Sequence, residues 1–145
     1  MDFENSVTYT LTQLAIAYRT YLERAMVEIG LHSGQIFVLI SLWGNDGQSQ
    51  IDLVKNLGLT APTINKMVKS LTIGGYVECR KCETDGRLMR VFLTGKGIQC
   101  QSSVAEQWNK IETQSYSNLT ETEKLILSQL FAKLKENLSQ NIKSS

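Results

Sequence analysis

The sequence predicts a mainly α-helical fold with one small β-hairpin. Apolar residues recur at helical intervals over most of the 145-residue chain. Only two short segments, 76–81 and 88–93, have strand character, and the polar turn between them contains Gly86. Length and composition, with 42% hydrophobic and 20% charged residues, are those of one ordinary globular domain.

The first two predicted helices carry most of the apolar residues of the N-terminal third. From Val7 to Ile29 apolar residues follow the spacing of one helical face, and Gly30 can end this helix. Ser33 can cap a second, mostly buried helix that stops at the polar run 44–47.

A helix, a tight turn and another helix are predicted next. Ser49 or Gln50 begins the short first helix, and Gly58 breaks it. Thr60 is the expected N-cap of the second helix, whose first turn tolerates Pro62 because its N–H would have no helical partner. The core-facing stripe of this helix consists of Ile64, Met67, Val68 and Leu71.

After the hairpin, residues 98–116 predict a fifth helix, and Gly95 and Gly97 interrupt the pattern before it. The run 120–123 has the form of a capping box for a last amphipathic helix that extends to about Leu138. Three helices followed by a hairpin form a winged helix-turn-helix. The fold class is therefore mainly α, with long helices flanking a winged helix-turn-helix.

The outer face of the second helix of this motif carries polar and basic side chains. Asn65 can pair with adenine through two hydrogen bonds, and Lys66 and Lys69 can reach guanine edges or phosphates. Thr63 and Pro62 can contact phosphate or a thymine methyl group. An ordinary solvated helix face is the alternative interpretation.

The hairpin tip places Asp85 and Arg87 two residues apart across Gly86. An acid can orient a guanidinium through a charge-assisted pair, and an oriented arginine on a thin hairpin suits the minor groove of DNA. The alternative is a simple salt bridge within the turn. Arg80, Lys81 and Arg90 surround the tip.

Charge is distributed unevenly along the chain. Residues 55–96 contain eight basic and three acidic residues, a net charge of +5, whereas the remainder contains seven basic and eleven acidic residues, a net charge of −4. A basic centre between acidic ends is typical of a DNA-contacting core, although a solvated surface can have the same distribution.

The run 85–97 (DGRLMRVFLTGKG) matches the wing signature D-x-R-x-x-x-V-x-L-T-x-x-G of the MarR family at every specified position. The resemblance spans nearly the whole chain. Upstream, the residues similar to the family's second helix, turn, recognition helix and first wing strand are Gln35, Leu39, the run 57–60, Thr63, Ile64, Leu71, the run 75–77 and Arg80.

The resemblance implies a homodimer of a single MarR-type domain, 1–145. Segments 7–30 and 98–140 would form the dimer interface, and 34–95 would be the DNA-binding part. Two such parts would bind a pseudo-palindromic operator. The protein would act as a repressor, and a small effector or an oxidant would release it from the DNA. The counterpart of Arg87 enters the minor groove and that of Asp85 steadies it. Thr60, Arg80 and Arg90 complete the predicted DNA-binding set.

Two positions depart from the family pattern. Pro62 stands where a small polar phosphate-binding residue is common, and Gly86 stands where a second basic residue is frequent. The resemblance therefore assigns neither a role to Pro62 nor a total charge to the wing.

Three cysteines, Cys79, Cys82 and Cys100, are too few for a disulfide framework and are expected to be reduced. No metal is expected. A zinc site normally needs four ligands, and besides Cys79 and Cys82 only Cys100 and His32 remain. Cys79 and Cys82 are three residues apart, which places them on opposite faces of a strand. Redox sensing is the stronger hypothesis, since nearby Arg80 and Lys81 could lower a thiol pKa. Some family members sense oxidants through a cysteine near the N-terminus, where this sequence has none.

Catalysis is not expected, since the single histidine, His32, suggests a loop residue at a helix start rather than part of a catalytic triad. No cofactor is implied. The effector site is undetermined: Trp43, Trp108, Tyr18 and Tyr21 could line one, but core or dimer-interface positions are favoured. A winged helix that binds a protein instead of DNA is the competing class.

The sequence has no apolar run long enough to span a membrane and no basic start typical of a signal peptide. It predicts a soluble, cytoplasmic protein.

Overall fold

The computed structural model describes residues 2–143, which form six helices and three short strands. In chain order the elements are α1 (Val7–Val27), α2 (Ser33–Gly44), β1 (Gln48–Ser49), α3 (Gln50–Leu57), α4 (Ala61–Ile73), β2 (Val77–Lys81), β3 (Met89–Leu93), α5 (Gly95–Ser115) and α6 (Glu121–Lys143). None of the helices in these residues combines the length and apolar character that crossing a membrane requires.

The chain divides into two compact units, Met1–Trp108 and Asn109–Ser145. The first contains the helix-turn-helix and the sheet. Its core is almost entirely aliphatic, and these side chains can be buried without hydrogen-bond partners because they carry no polar groups. The largest fully buried side chains of this core are Met26, Leu31, Ile36, Val38, Leu39, Leu42, Leu53, Ile64, Leu71, Val77 and Val91.

The start of α2 differs from the prediction. Ser33 is the first helical residue and not the cap, and His32 occupies the N-cap position. The backbone N–H of Ser33 donates to Oε2 of Glu23 at 2.7 Å, and that of His32 donates to Oε1 of Gln35 at 2.8 Å. Side chains of α1 and α2 thus satisfy the exposed N–H groups at this helix start, so a serine cap is not needed.

The caps of the helix-turn-helix follow the sequence closely. Ser49 caps α3 in a reciprocal capping box with Asp52, and Gly58 adopts a left-handed conformation (φ +65°) after its last turn. Thr60 caps α4, with its Oγ1 accepting from the N–H of Thr63 at 3.4 Å. Pro62 lies in the first turn, where its missing N–H costs no helical bond.

The predicted two-stranded hairpin is part of a three-stranded antiparallel sheet of order β1-β3-β2. In β2 and β3, Cys79 pairs with Val91 and Arg80 with Arg90. The additional strand, β1, has only two residues, Gln48 and Ser49, which pair with Val91 and Arg90.

The side chain of Gln48 links three elements. Its Nε2 donates to the carbonyl oxygens of Ser41 (2.9 Å) and Asn45 (2.7 Å), and its Oε1 accepts from Nδ2 of Asn56 at 2.7 Å. Gln48 is nearly fully buried, so these bonds satisfy an otherwise costly buried amide. The ends of α2 and α3 are thereby tied to the edge strand of the sheet.

The C-terminal helices also begin at local signals. Helix α5 starts at Gly95, three residues earlier than predicted, because Thr94 precedes it and accepts from the N–H of Gly97 at 3.1 Å. Helix α6 begins at the predicted capping box, in which the backbone N–H and Oγ1 of Thr120 exchange hydrogen bonds with Glu123.

Candidate nucleic-acid interface

Helix α4 presents a basic and polar face outward, as its periodicity predicts. Ile64, Val68 and Leu71 are buried and Met67 is half-buried. The exposed residues of the outward face are Pro62, Asn65, Lys66 and Lys69. Burial of the apolar stripe therefore fixes which side chains a bound molecule would meet.

The functional groups on this face are not engaged elsewhere in the part of the chain described. Within residues 2–143, the amide of Asn65 and the ammonium groups of Lys66 and Lys69 make no hydrogen bond or ion pair. Thr63 is half-buried, and its Oγ1 lies 2.8 Å from that of Thr60. Thr60 and Thr63 therefore serve the helix cap first, while Asn65 and the lysines can face a ligand.

The tip of the hairpin is a turn from Asp85 to Leu88, closed by a hydrogen bond from the Leu88 N–H to the Asp85 carbonyl at 3.0 Å. Oδ1 of Asp85 accepts from the backbone N–H of Arg87, also at 3.0 Å. The sequence suggested that Asp85 pairs with the guanidinium, but among the described residues its observed partner is the main chain. Asp85 thus shapes the turn that carries Arg87, whose side chain is exposed.

Arg80 and Arg90 stand opposite each other in the sheet and have separate partners. Arg80 forms an ion pair with Glu78 at 2.7 Å and lies over the ring of Phe92, 4.1 Å from its centroid. Arg90 donates to the carbonyl of Gly47 at 3.0 Å. Both predicted DNA contacts are therefore partly committed to the base of the hairpin, unlike Arg87.

Thr94 and Gly97, at the end of the wing signature, have structural roles. Oγ1 of Thr94 donates to the Gly75 carbonyl at 2.6 Å. A Cβ added at Gly97 would lie 2.1 Å from the carbonyl oxygen of Tyr76, and the Gly97 carbonyl accepts from Nε1 of Trp43 at 2.9 Å. Position 97 must be glycine because helix α5 passes this close to the backbone before β2.

Sequence reasoning missed the residues that attach the wing to the helices. Asp46 accepts the backbone N–H of Leu93 at 2.9 Å, and Gly47 (φ +73°) leaves room for the ring of Phe92. The run 44–47 was interpreted only as a helix stop. Its Asp-Gly pair was a turn signal that could have indicated a further strand at Gln48.

The three cysteines have different environments. Hydrogen bonds from the side chains of Thr84 and Arg90, and from the backbone of Asp85 and Thr84, lower the pKa of Cys82 to about 6. Burial raises the pKa of Cys100. No group of three or more His, Cys, Asp and Glu side chains suited to a metal occurs within the described part of the chain.

The aromatic candidates for an effector pocket are half-buried. Trp43 is held by its bond to Gly97, which is a structural role. The hydroxyl of Tyr18 is buried and has no hydrogen-bond partner among the described residues. Neither observation joins Trp43 or Tyr18 to Trp108 or Tyr21, and the effector site stays unassigned.

Comparisons with known proteins agree with this geometry. Residues 31–89 match the model of the MarR family. YdgJ of Bacillus subtilis, described as an HTH-type transcriptional regulator, is 24% identical over 76% of this chain and 67% of its own. A MarR protein of Peptoclostridium difficile has a TM-score of 0.88 and 22% identity, covering 97% of this chain and 93% of its own.

A MarR family regulator of Listeria monocytogenes, solved in complex with 26mer DNA, has a TM-score of 0.84 at 22% identity and covers 94% of this chain and 91% of its own. The matched segment runs from two residues before α2 to the first residue of β3. The chain therefore contains a segment that matches the MarR family model, on a fold that it shares along nearly its full length with solved MarR proteins.

Proposed function

We propose that the protein is a cytoplasmic repressor that binds a pseudo-palindromic DNA operator as a homodimer and is released by a small effector or an oxidant. The observation that carries this proposal is the outward face of α4. Asn65, Lys66 and Lys69 are exposed and without internal partners in the described residues, on a helix whose other side is anchored in the core. A buried stripe fixes the orientation of the helix, and groups that are not engaged internally can contact base edges and phosphates.

The wing supplies a second contact beside this helix. Arg87 is exposed on a turn that the Asp85 carboxylate holds in shape. A cation at the end of a narrow hairpin is suited to the negative potential of a narrow minor groove. Helix α4 would then read bases in the major groove, and Arg87 would respond to groove width and charge. The Listeria relative, which shares this fold, was solved in complex with DNA, and this supports DNA as the partner.

A homodimer is supported by apolar side chains that a single chain leaves exposed on its terminal helices. Such surface is costly in water and is covered most simply by a second copy related by two-fold symmetry. The exposed apolar residues of α1 and α6 include Val7, Leu14, Ile16, Leu125, Ile126, Leu130, Phe131, Leu134 and Leu138. Light scattering is expected to give twice 16.3 kDa.

The test is gel retardation on genomic DNA fragments at two salt concentrations, followed by footprinting of the bound fragment. Binding that weakens steeply with salt is expected, because each phosphate contact releases counterions. Footprinting is expected to show an inverted repeat with half-site centres roughly 10 bp apart, since two-fold symmetry places paired helices in successive major grooves. Absence of binding at low salt would instead support a winged helix that binds a protein.

A further inference from the structure

We propose that Cys82 is a site of reversible modification by anionic low-molecular-weight disulfides, and that the resulting adduct prevents the wing from engaging DNA. The first part concerns the chemistry of this side chain alone. The second part rests on the proposed DNA-binding function and gives its release by an oxidant a specific location.

Cys82 opens onto a solvent-facing recess of about 330 Å³ at the base of the hairpin tip. Three basic side chains, Arg80, Lys81 and Arg90, and one acid, Glu83, line this recess. Arg80 is paired with Glu78, so Lys81 and Arg90 supply the excess of positive charge. An excess of positive charge around a small cavity attracts a molecule that carries carboxylates. The recess therefore combines access, a thiol and electrostatic attraction for an anionic reagent.

The thiol is held in a setting that favours its ionised form. Sγ lies 3.2 Å from Oγ1 of Thr84, and Thr84 and then Arg90 contribute most to lowering the pKa of this thiol. With its pKa lowered to about 6, Cys82 is largely thiolate at neutral pH, and the thiolate is the nucleophile. Of the three cysteines, Cys82 is the one whose side chain lines this recess.

The other two cysteines lack this combination. Cys79 pairs with Val91 within the sheet and is not among the residues that line the recess. Cys100 is half-buried in α5, and burial raises its pKa. Selective reaction at Cys82 is expected because neither of the other thiols lines the basic recess, and a buried thiol with a raised pKa, such as Cys100, attacks slowly.

The reaction is thiol–disulfide exchange. The Cys82 thiolate attacks one sulfur of the disulfide RSSR, a bond forms between Sγ and that sulfur, and the S–S bond of the reagent breaks. One RS⁻ thiolate leaves with the electron pair, so Cys82 is oxidised to a mixed disulfide while half of the reagent is reduced. Excess RSH reverses the step.

The adduct would alter the wing at its narrowest part. Cys82 donates its backbone N–H to the Leu88 carbonyl at 2.7 Å, directly below the turn that carries Arg87. A carboxylate-bearing group attached here adds bulk and negative charge next to the arginine. Both effects oppose entry of the hairpin into a groove lined by phosphates.

The chemical test uses the reduced full-length protein and glutathione disulfide, followed by intact-mass and peptide-mass analysis. One glutathionyl group is expected on Cys82, absent in Cys82→Ser and retained in the matched controls Cys79→Ser and Cys100→Ser. Between pH 7 and pH 8 the rate constant should change by less than about twofold, whereas an ordinary thiol would react about eightfold faster. Adduct formation on another cysteine, or the larger pH dependence, overturns the assignment.

Charge selectivity is tested by the same assay with cystamine, a cationic disulfide. Relative to a small reference thiol, Cys82 should react preferentially with glutathione disulfide, and Arg90→Gln should reduce that preference several-fold. Equal preference for both reagents would show that the basic recess does not recruit the anion.

The functional test compares DNA binding of the reduced protein and the isolated adduct. The adduct should bind about tenfold more weakly or worse, and excess glutathione should restore binding. If the reduced protein binds DNA and the adduct binds equally well, the regulatory role is wrong. If even the reduced protein does not bind DNA at low salt, the DNA-binding function fails, and the mass measurements alone decide the reactivity of Cys82.

Discussion

The Asp85 carboxylate holds the backbone N–H of Arg87 at 3.0 Å, so the acid at the hairpin tip acts on the turn and not on the guanidinium. This distinction predicts different outcomes for two substitutions. Asp85→Asn keeps an oxygen acceptor and removes a negative charge near DNA phosphates, and it should bind DNA at least as tightly as the parent. Asp85→Ala loses the bond, a change of about 1 kcal/mol or roughly fivefold in affinity. Fluorescence anisotropy with labelled operator measures both; equal damage by both variants would place the carboxylate's effect on the guanidinium.

Arg87 and Asn65 should fail in different ways when each is replaced by alanine. Arg87→Ala should weaken binding to all sequences and reduce the salt dependence by about one phosphate contact per protomer. Asn65→Ala should chiefly relax base preference at one symmetric pair of positions, by about 1–3 kcal/mol. Binding across a randomised operator library at several salt concentrations separates the two. Unchanged affinity of Arg87→Ala at moderate salt would exclude the wing from the groove.

Gly86 should accept a basic side chain. It has no neighbour within 4 Å of an added Cβ, and its φ is not in the left-handed region. Gly86→Lys should therefore fold normally and bind DNA more tightly, with a steeper salt dependence, because it adds a cation at the tip. Gly86→Gln is the matched uncharged control. The same gain from both variants would show that the effect is not electrostatic.

Gly97 should tolerate no side chain. The added Cβ of Gly97→Ala would meet the Tyr76 carbonyl oxygen at 2.1 Å, so backbone must shift, at a cost of about 1–3 kcal/mol in the free energy of unfolding. Gly95→Ala is the control, since it has open space and begins the same helix. It should be neutral or stabilising by about 0.4–1 kcal/mol. Urea denaturation at one fixed protein concentration compares them, and equal stability of the two variants would contradict the close approach.

The Glu23 carboxylate should stabilise the fold above acid pH. Hydrogen bonds from Ser33 and His32 lower its pKa from 4.5 to about 2. Because the folded-state pKa is depressed, the stabilisation is fully present above the unfolded pKa and is lost as pH falls through the folded one. Glu23→Gln should be less stable at pH 7, and the difference should shrink between about pH 5 and pH 2. A difference independent of pH would point to packing.

Local signals made the helix starts predictable. A threonine followed three residues later by glutamate is sufficient to identify the start of α6, and Thr60 with Pro62 defines α4, because the satisfying groups lie within one turn. The predicted start of α2 was wrong because the N–H of Ser33 donates to Glu23, ten residues earlier on α1. A cap supplied by another element leaves no trace in the local pattern.

The outward face of α4 was predictable for the same reason, since helical periodicity identifies the buried side and leaves the other exposed. Strand β1 was not, because two residues have no measurable alternation and become a strand only by pairing with Val91 and Arg90. The hydrogen-bond partner of the Asp85 carboxylate could not be predicted from the sequence either. Both the N–H and the guanidinium of Arg87 are within reach of an acid two residues away, and the turn geometry decides between them.

The buried amide of Gln48 has a consequence for the DNA sequences that the protein can accept. Gln48 bonds to the end of α2 and to Asn56 of α3, and it lies in the strand beside β3. Helix α4 packs on the same two helices, α2 and α3, so α4 and the hairpin are supported by a common base. The distance between α4 and the hairpin is therefore the same in each protomer. A half-site must therefore present its major-groove bases and its minor groove at one set distance, and DNA that departs from it has to bend or twist to comply.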